Sequence, residues 1–345
     1  MLIQPEYIIA GVMLVGLVIY ALSGGADFGG GMWDLLAYGE RGKSQREAIA
    51  NAIAPVWEAN HVWLILVIVL LFSAFPPAFA AIMTALFIPL TLVLVGVVLR
   101  GSAFIFRKYS MHDDRTFRRW STVFGVSSFL TPFFLGLCLG ALGTGDLQVV
   151  DGVPVNGFFA GWTTPFAFGC GIFALGLFAF VSAVYLAADT HRYPDLQADF
   201  RYRALVSGVL LAPIAVMVFV LSRQGSTEIY NDLTSWWGPL LLLVTSVFAV
   251  GALWAVWQRR FTLARFAVAG QVACILLGWG FAQFPYLVVP DLTISSAAAP
   301  PVTLRFLIIG LGLGALILFP SLWYLLRVFK GRGDPLKIGD YDNSL

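Results

Sequence analysis

The chain alternates long apolar stretches with short polar ones. A helix that crosses the hydrocarbon core of a bilayer needs about 20 predominantly apolar residues, and nine of the apolar stretches come close to that length. The pattern therefore predicts an all-α polytopic membrane protein with nine transmembrane helices. The predicted helices lie at residues 7–36, 47–73, 78–100, 120–143, 163–188, 203–222, 237–257, 263–284 and 303–327.

The composition supports this class. Hydrophobic residues make up 59% of the chain and charged residues 12%, whereas soluble domains carry about 25% charged residues. A water-soluble domain is therefore excluded. The net charge of +2 is too small to indicate a nucleic-acid partner.

The basic residues predict the orientation in the membrane. Apart from Arg223 and Arg305, every Lys and Arg falls in or beside the loops after the first, third, fifth and seventh predicted helices, or in the C-terminal tail. Loops rich in Lys and Arg stay in the cytoplasm. The N-terminus is therefore expected outside and the C-terminus in the cytoplasm.

The whole chain, residues 1–345, is expected to form one membrane domain. No cleaved signal peptide is predicted, because the acidic Glu6 and no basic residue precedes the first apolar run. The first eight helices could be two duplicated four-helix units, at residues 1–143 and 163–284, with residues 303–327 as an added ninth helix. Prolines at comparable depths in the second and sixth helices favour this division.

A polar stripe interrupts the second predicted helix. Asn51, Glu58 and His61 share one face, because residues three, four and seven apart lie above one another on a helix. An ionisable group at membrane depth is costly and usually marks a functional path or site. Glu58 could be a proton-conducting carboxylate, a metal ligand together with His61, or a neutral structural acid. Proton transfer is favoured.

A metal site is disfavoured by the number of available ligands. A helix bundle that holds a metal typically supplies two Glu-x-x-His pairs and further carboxylates, and this chain has a single such pair. No metal site is therefore predicted.

The end of the first predicted helix is rich in glycine and contains Asp27. Small residues let membrane helices approach closely, so the glycines indicate a packing seam. That seam does not explain Asp27. Arg100, at the expected cytoplasmic end of the third helix, could be a snorkelling terminal cation or the countercharge of Asp27 or Glu58. The sequence leaves both alternatives open.

The histidines argue against a haem in this chain. A membrane haem held by two histidines needs ligands at facing positions, and of His61, His112 and His191 only the first lies in a predicted span. Any redox metal centre is therefore expected in another subunit.

Two segments, Gly25–Met32 and Asn51–Trp63, resemble subunit II of cytochrome bd-type quinol oxidases. The Pro-x-Trp-acid-x-Asn core of the second segment is the more specific of the two. Many members carry Asp at the position of Glu58 and Gln or Glu at that of His61, and the residues found here resemble the cyanide-insensitive branch. Many members also place an acid where this chain has Ile105, so an identical proton route is not expected.

This resemblance implies a partner, subunit I, that binds two b-type haems and haem d and oxidises quinol. Subunit II would pack against it as a pseudo-symmetric partner and ligate no haem. Trp57 and Glu58 would line a path for cytoplasmic protons toward the oxygen-reducing site. Asp27, Arg100, Asn60 and His61 are the other residues expected in that region.

The resemblance also implies a setting and a set of further partners. We expect a multi-pass protein of the bacterial cytoplasmic membrane, in contact with lipid and quinone, with small single-helix accessory subunits as possible additions. A secondary transporter is the alternative, because transporters also combine broken helices with a midplane acid. The helix count and the recognised segments argue against it.

Overall fold

The computed structural model describes residues 4–53, 57–109, 114–150, 153–155 and 157–330. This part of the chain is helical apart from two short antiparallel hairpins. The helices are α1 (Pro5–Leu35), α2 (Gly42–Ile53), α3 (Trp57–Ala74), α4 (Pro76–Ala85), α5 (Phe87–Tyr109), α6 (Asp114–Leu142), α7 (Pro165–Asp189), α8 (Pro194–Gly225), α9 (Thr227–Thr234), α10 (Gly238–Trp257), α11 (Phe261–Gln283) and α12 (Pro301–Lys330). The hairpins pair β1 (Val149–Val150) with β2 (Val153–Pro154) and β3 (Tyr286–Val288) with β4 (Leu292–Thr293).

Eight helices of the described residues are each long and apolar enough to cross a membrane. They are α1, α5, α6, α7, α8, α10, α11 and α12. Helices α3 and α4 pass the same criterion only as a pair, and they are bent by 118° where they meet. The structure therefore contains eight candidate spans, or nine if this bent pair counts as one.

The third predicted helix was wrong in its boundaries. The second, 47–73, corresponds to α2, up to Ile53, and α3, from Trp57, and residues 54–56 between them lie outside the described residues. The segment 78–100 is divided at Leu86 between α4, which begins at the Pro76-Pro77 pair, where proline is compatible with the first helical turn, and α5, which begins at Phe87. Helix α5 then continues to Tyr109, through residues that were predicted to be a loop.

Helix α1 lies at the centre of the bundle and packs against α3, α6, α7 and α11. The seam predicted from its glycines is confirmed. A Cβ atom added at Gly29 would lie 2.1 Å from the carbonyl oxygen of Phe178 on α7, and one at Gly31 would lie 2.0 Å from Oγ of Ser128 on α6. Two neighbouring helices therefore contact α1 at backbone distance, and this brings its polar side chains into the core.

One end of the bundle gathers several of the basic connections. Arg203 of α8 donates to backbone carbonyls at the C-terminal end of α1 and, at 2.6 Å, to Oε1 of Gln45 in α2. Arg201 of α8 donates to the carbonyls of Val256 and Trp257, which end α10. The C-terminal ends of α1 and α10 therefore lie at the same end of the molecule as the start of α8.

Candidate functional site

Asp27 and Arg100 form an ion pair inside the bundle. The guanidinium contacts both carboxylate oxygens, with Nη1 2.8 Å from Oδ2 and Nη2 2.5 Å from Oδ1. Its Nε donates to Oγ of Ser128 on α6 at 3.0 Å. Asp27 and Arg100 are each 2% exposed. Of the two interpretations of Arg100, the countercharge of Asp27 is confirmed and the snorkelling cation is wrong.

A second ion pair lies two helical turns further along the same two helices. Nη1 and Nη2 of Arg107 on α5 are each 3.0 Å from a carboxylate oxygen of Asp34 on α1. Seven residues separate the acids on α1 and the arginines on α5, so the two pairs are about 10 Å apart along the helices. We call the four side chains, Asp27, Asp34, Arg100 and Arg107, the ion-pair ladder.

Sequence reasoning missed the second pair because it assigned Arg107 to a loop. The available signal was the shared spacing, since seven residues return a side chain to the same face of a helix. Asp27 with Asp34 and Arg100 with Arg107 both have this spacing.

Aromatic rings separate and cover the two guanidinium groups. The ring of Phe124 on α6 is 1% exposed, and its centroid lies 4.8 Å from Cζ of Arg100 and 5.1 Å from Cζ of Arg107. Phe28 covers Arg100 from another side, at 4.9 Å. Cations over ring faces are attracted to the ring quadrupole, so each arginine is held by both charge and packing.

His61 of α3 contacts two aromatic side chains of α1, Phe28 and Tyr20. Its ring centroid is 6.1 Å from that of Phe28 and 6.2 Å from that of Tyr20. Nδ1 of His61, Nδ2 of Asn60 and the Tyr20 hydroxyl are all buried without a hydrogen-bond partner in the described structure. Buried polar atoms are nearly always satisfied by protein, water or another molecule. Nδ1 of His61 and the Tyr20 hydroxyl, whose rings are in contact, therefore leave hydrogen-bonding groups available beside Phe28.

The side chains of Trp57 and Glu58 lie outside the described residues. The backbone of Glu58 belongs to α3, one helical turn before His61. At Ile105, where an acid stands in many members, the side chain is apolar and 45% exposed. That position does not extend the ion-pair ladder.

A cavity of about 470 Å³ lies where α1 ends, beside α2 and α6. Asp34, Arg46, Arg118 and Ser121 are among its lining residues. The outer ion pair of the ladder therefore borders a polar cavity, whereas the inner pair is enclosed by Phe124 and Phe28.

Residues 5–329 match the protein family described as cytochrome bd terminal oxidase subunit II. The chain belongs to this family. A member is a subunit of an oxygen-reducing quinol oxidase complex, which implies a subunit I partner and haem and quinol in the complex.

Relatives of known name extend over nearly the whole chain. A putative cytochrome bd menaquinol oxidase subunit II of Bacillus subtilis is 25% identical over 337 residues, covering 95% of this chain and 96% of the relative. The cytochrome bd-I ubiquinol oxidase subunit 2 of Escherichia coli K12 is 27% identical over 327 residues, covering 85% and 83%. The solved bd oxidase of Geobacillus thermodenitrificans shares the fold, with a TM-score of 0.74 at 22% identity over 94% of this chain and 98% of that chain.

The described histidines of this chain do not form a facing pair that could hold a haem between them. His61 contacts the middle of α1, whereas His191 lies in the turn after α7 and lines a cavity with Arg259 and Arg260, so the two histidines do not face each other across a haem. His112 lies outside the described residues. No group of three or more His, Cys, Asp or Glu side chains that could hold a metal ion occurs in the described part of the chain.

Proposed function

We propose that this subunit II stabilises the haem-bearing subunit and lines a pathway for protons from the cytoplasm to the oxygen-reducing site. The observation that carries the proposal is the ion-pair ladder, which runs from a polar cavity at the basic end of the bundle into its core. Beside Phe28, which covers the inner pair, Nδ1 of His61 and the Tyr20 hydroxyl are buried with no partner among the described residues. Charged side chains inside a membrane bundle are costly and usually mark a functional path.

The proposed direction of proton movement depends on the orientation of the chain. The end of the bundle that gathers the basic connections is proposed to face the cytoplasm, because Lys- and Arg-rich loops stay there. The cavity bordered by Asp34 lies near the C-terminal end of α1, at that basic end. Protons would therefore enter beside Asp34 and move along α1 toward α3.

The ladder itself is proposed to tune the pathway and not to carry the proton. A buried, bidentate ion pair is held together strongly, and protonating one partner would leave the other charge uncompensated. Each pair contributes no net charge, so a proton that passes beside it meets no large electrostatic barrier. The Ser128 hydroxyl accepts a hydrogen bond from Nε of Arg100 and donates one to the carbonyl of Phe124, so it fixes the position of the inner pair.

Glu58 is proposed to be the proton carrier, with Trp57, Asn60 and His61 beside it. It lies on α3 one turn before His61, whose Nδ1 has no partner among the described residues. A carboxyl group in a site of low dielectric can accept and release protons near neutral pH. Haems b and d, expected in subunit I, would supply the electron transfer and oxygen reduction there.

The proposal is tested by Glu58→Leu in the assembled oxidase. We expect quinol oxidase activity to fall by a factor of about 10² to 10⁴, the usual range for loss of a proton-transfer group, while the haem absorption spectrum stays unchanged. The matched control is Glu58→Asp, which keeps the carboxyl group and should retain most of the activity. Normal turnover of Glu58→Leu with intact haem spectra would remove the proton role.

The transporter alternative is not favoured, because the chain belongs to an oxidase family. Affinity purification separates the two directly. An oxidase subunit should bring along a haem-bearing partner with visible absorption bands, whereas a transporter should purify without colour. Lipid, quinone and small accessory subunits as further partners, and the bacterial cytoplasmic membrane as location, are part of the same proposal.

A further inference from the structure

The turn between α10 and α11 carries two arginines that no ion pair explains. Arg259 and Arg260 are both exposed, and neither pairs with a carboxylate of the described residues. Together with His191 and Arg265 they line a cavity of about 530 Å³. Within the lining, Arg265 is the one arginine with an acidic partner, Asp189. The cavity therefore keeps an excess of positive charge.

The backbone at Arg259 is unusual for an arginine. Its φ is +58°, in the left-handed region. The N–H of Arg259 donates to the carbonyl of Val256 at 3.2 Å, and that of Arg260 to the carbonyl of Ala255 at 2.8 Å. These two bonds form the Schellman motif that ends many helices, and glycine is the residue that this motif prefers at the left-handed position. Placing an arginine there strains the backbone, and a glycine would relieve that strain.

The surroundings of the cavity are those of a membrane boundary. The cavity lies where α10 ends and α11 begins, and both helices are candidate spans. Trp254 and Trp257 near the end of α10 are 48% and 64% exposed, and Leu263 and Phe266 on the first turns of α11 are 47% and 72% exposed. Tryptophan is enriched at the level of the lipid headgroups. Exposed apolar side chains thus continue from the basic cavity toward the lipid chains.

We infer that this cavity binds the phosphate of an acidic membrane phospholipid, with Arg259 and Arg260 as its main cationic ligands. Guanidinium groups bind phosphate oxygens in pairs, and basic pockets between membrane helices hold acidic headgroups. The aromatic and apolar side chains beside the cavity would receive the acyl chains. A free phosphate ion would use the same arginines but would gain nothing from that apolar surface.

The substitution Arg259→Gly separates ligand binding from folding. Glycine removes the charge and at the same time relieves the left-handed backbone, so the variant should fold at least as well as the parent. Arg259→Lys keeps a cation and should retain binding. Arg223→Gln is the matched control, because Arg223 is also an exposed arginine at a helix end but lies outside the cavity.

The measurement is native mass spectrometry of the purified oxidase complex in detergent supplemented with palmitoyl-oleoyl phosphatidylglycerol or with the matching phosphatidylcholine. The parent complex should retain one more tightly held phosphatidylglycerol than Arg259→Gly does, and the apparent affinity of that lipid should fall about fivefold per arginine removed. Arg260→Gln should show the same loss. Retention of phosphatidylcholine, oxidase activity and the unfolding temperature in lipid-free detergent should not decrease.

Three results would overturn the inference. The first is undiminished retention of phosphatidylglycerol in Arg259→Gly and Arg260→Gln. The second is an equal loss in Arg223→Gln, which would indicate general surface charge. The third is displacement of the lipid by millimolar inorganic phosphate, which would assign the cavity to a soluble anion. None of these results bears on the Glu58 experiment, so the two proposals stand or fall separately.

Discussion

Arg100 makes four hydrogen bonds inside the bundle, to the carboxylate and carbonyl oxygens of Asp27 and to the hydroxyl of Ser128. These bonds use most of the donors of its guanidinium group. Phe28 and Phe124 cover its faces. The charge is tolerated there because Asp27 and Ser128 accept its hydrogen bonds and two aromatic rings lie over it.

Asp27 and Arg100 neutralise each other inside the bundle, and this predicts how their removal changes the stability of the complex. Removing one partner of a buried pair leaves an uncompensated charge and costs about 3–5 kcal/mol, whereas replacing both partners with apolar residues is often nearly neutral. Arg100→Met should therefore lower the unfolding temperature of the purified complex strongly. The double variant Asp27→Leu with Arg100→Met should recover most of that loss. Equal unfolding temperatures for the single and double variants would show that the two charges do not depend on each other.

The identity of Asp27 and Arg100 as polar members of the site could be predicted from the sequence, because an acid in an apolar helix stands out. Their pairing could be offered only as one of several alternatives, since hydropathy treats each charge separately and the partners lie 73 residues apart. Asp34 and Arg107 were missed because Arg107 was assigned to a loop. A sequence shows that a charge is costly in the membrane but does not show which other helix will neutralise it.

At the scale of helices, the approach of α7 to α1 depends on Gly29. A methyl group there would lie 2.1 Å from a backbone carbonyl oxygen of α7, which cannot move aside without moving the helix. Gly29→Ala should therefore separate the two helices and destabilise the complex, and the shift should reach the neighbouring ladder residue Asp27.

Gly11 provides the matched control on the same helix. A Cβ atom there would meet no atom within 4 Å, and alanine is the better helix former by about 1 kcal/mol. Thermal unfolding of the two variants should move in opposite directions, downward for Gly29→Ala and unchanged or upward for Gly11→Ala. A tolerated alanine at Gly29 would contradict the close approach of α1 and α7.

The positions of most helices follow from hydrophobicity alone, and the two exceptions have different causes. Helix α5 runs past its predicted end because Arg100 and Arg107 are neutralised by α1, so the helix can continue where its sequence looks like a polar loop. The bend between α3 and α4 begins at consecutive prolines, which apolar length counting does not register. Whether residues 1–143 and 163–284 are duplicated units stays a prediction.

At the scale of the whole molecule, the proposed orientation can be tested with single cysteines. Gln258 lies in the exposed turn after α10, at the basic end, and Asn231 lies on α9, just before α10 begins. The two test variants are Gln258→Cys and Asn231→Cys. A membrane-impermeant maleimide should label position 231 in intact spheroplasts and position 258 only in inverted vesicles. The chain without an added cysteine is the control, because it shows how strongly its three native cysteines are labelled. The reverse pattern would place the basic end outside and invalidate the proposed direction of proton movement.

The large apolar surfaces of α8, α10 and α12 face outward. Membrane lipid and the partner subunit are the two kinds of surface that such faces can meet. The inner ion pair of the ladder, in contrast, is buried inside the bundle, where His61 of α3 contacts Phe28 beside it. The proposed proton route therefore requires subunit I to pack against this chain on the side where α3 lies.

The most direct test of the central claim is proton uptake during oxygen reduction, followed with a pH-sensitive dye after oxygen is mixed with the fully reduced complex. The account predicts that Glu58→Leu slows proton uptake and oxygen reduction together, whereas Glu58→Asp keeps both close to the parent rates. Unchanged proton uptake in Glu58→Leu, with the haem spectrum intact, would contradict a proton pathway through this subunit.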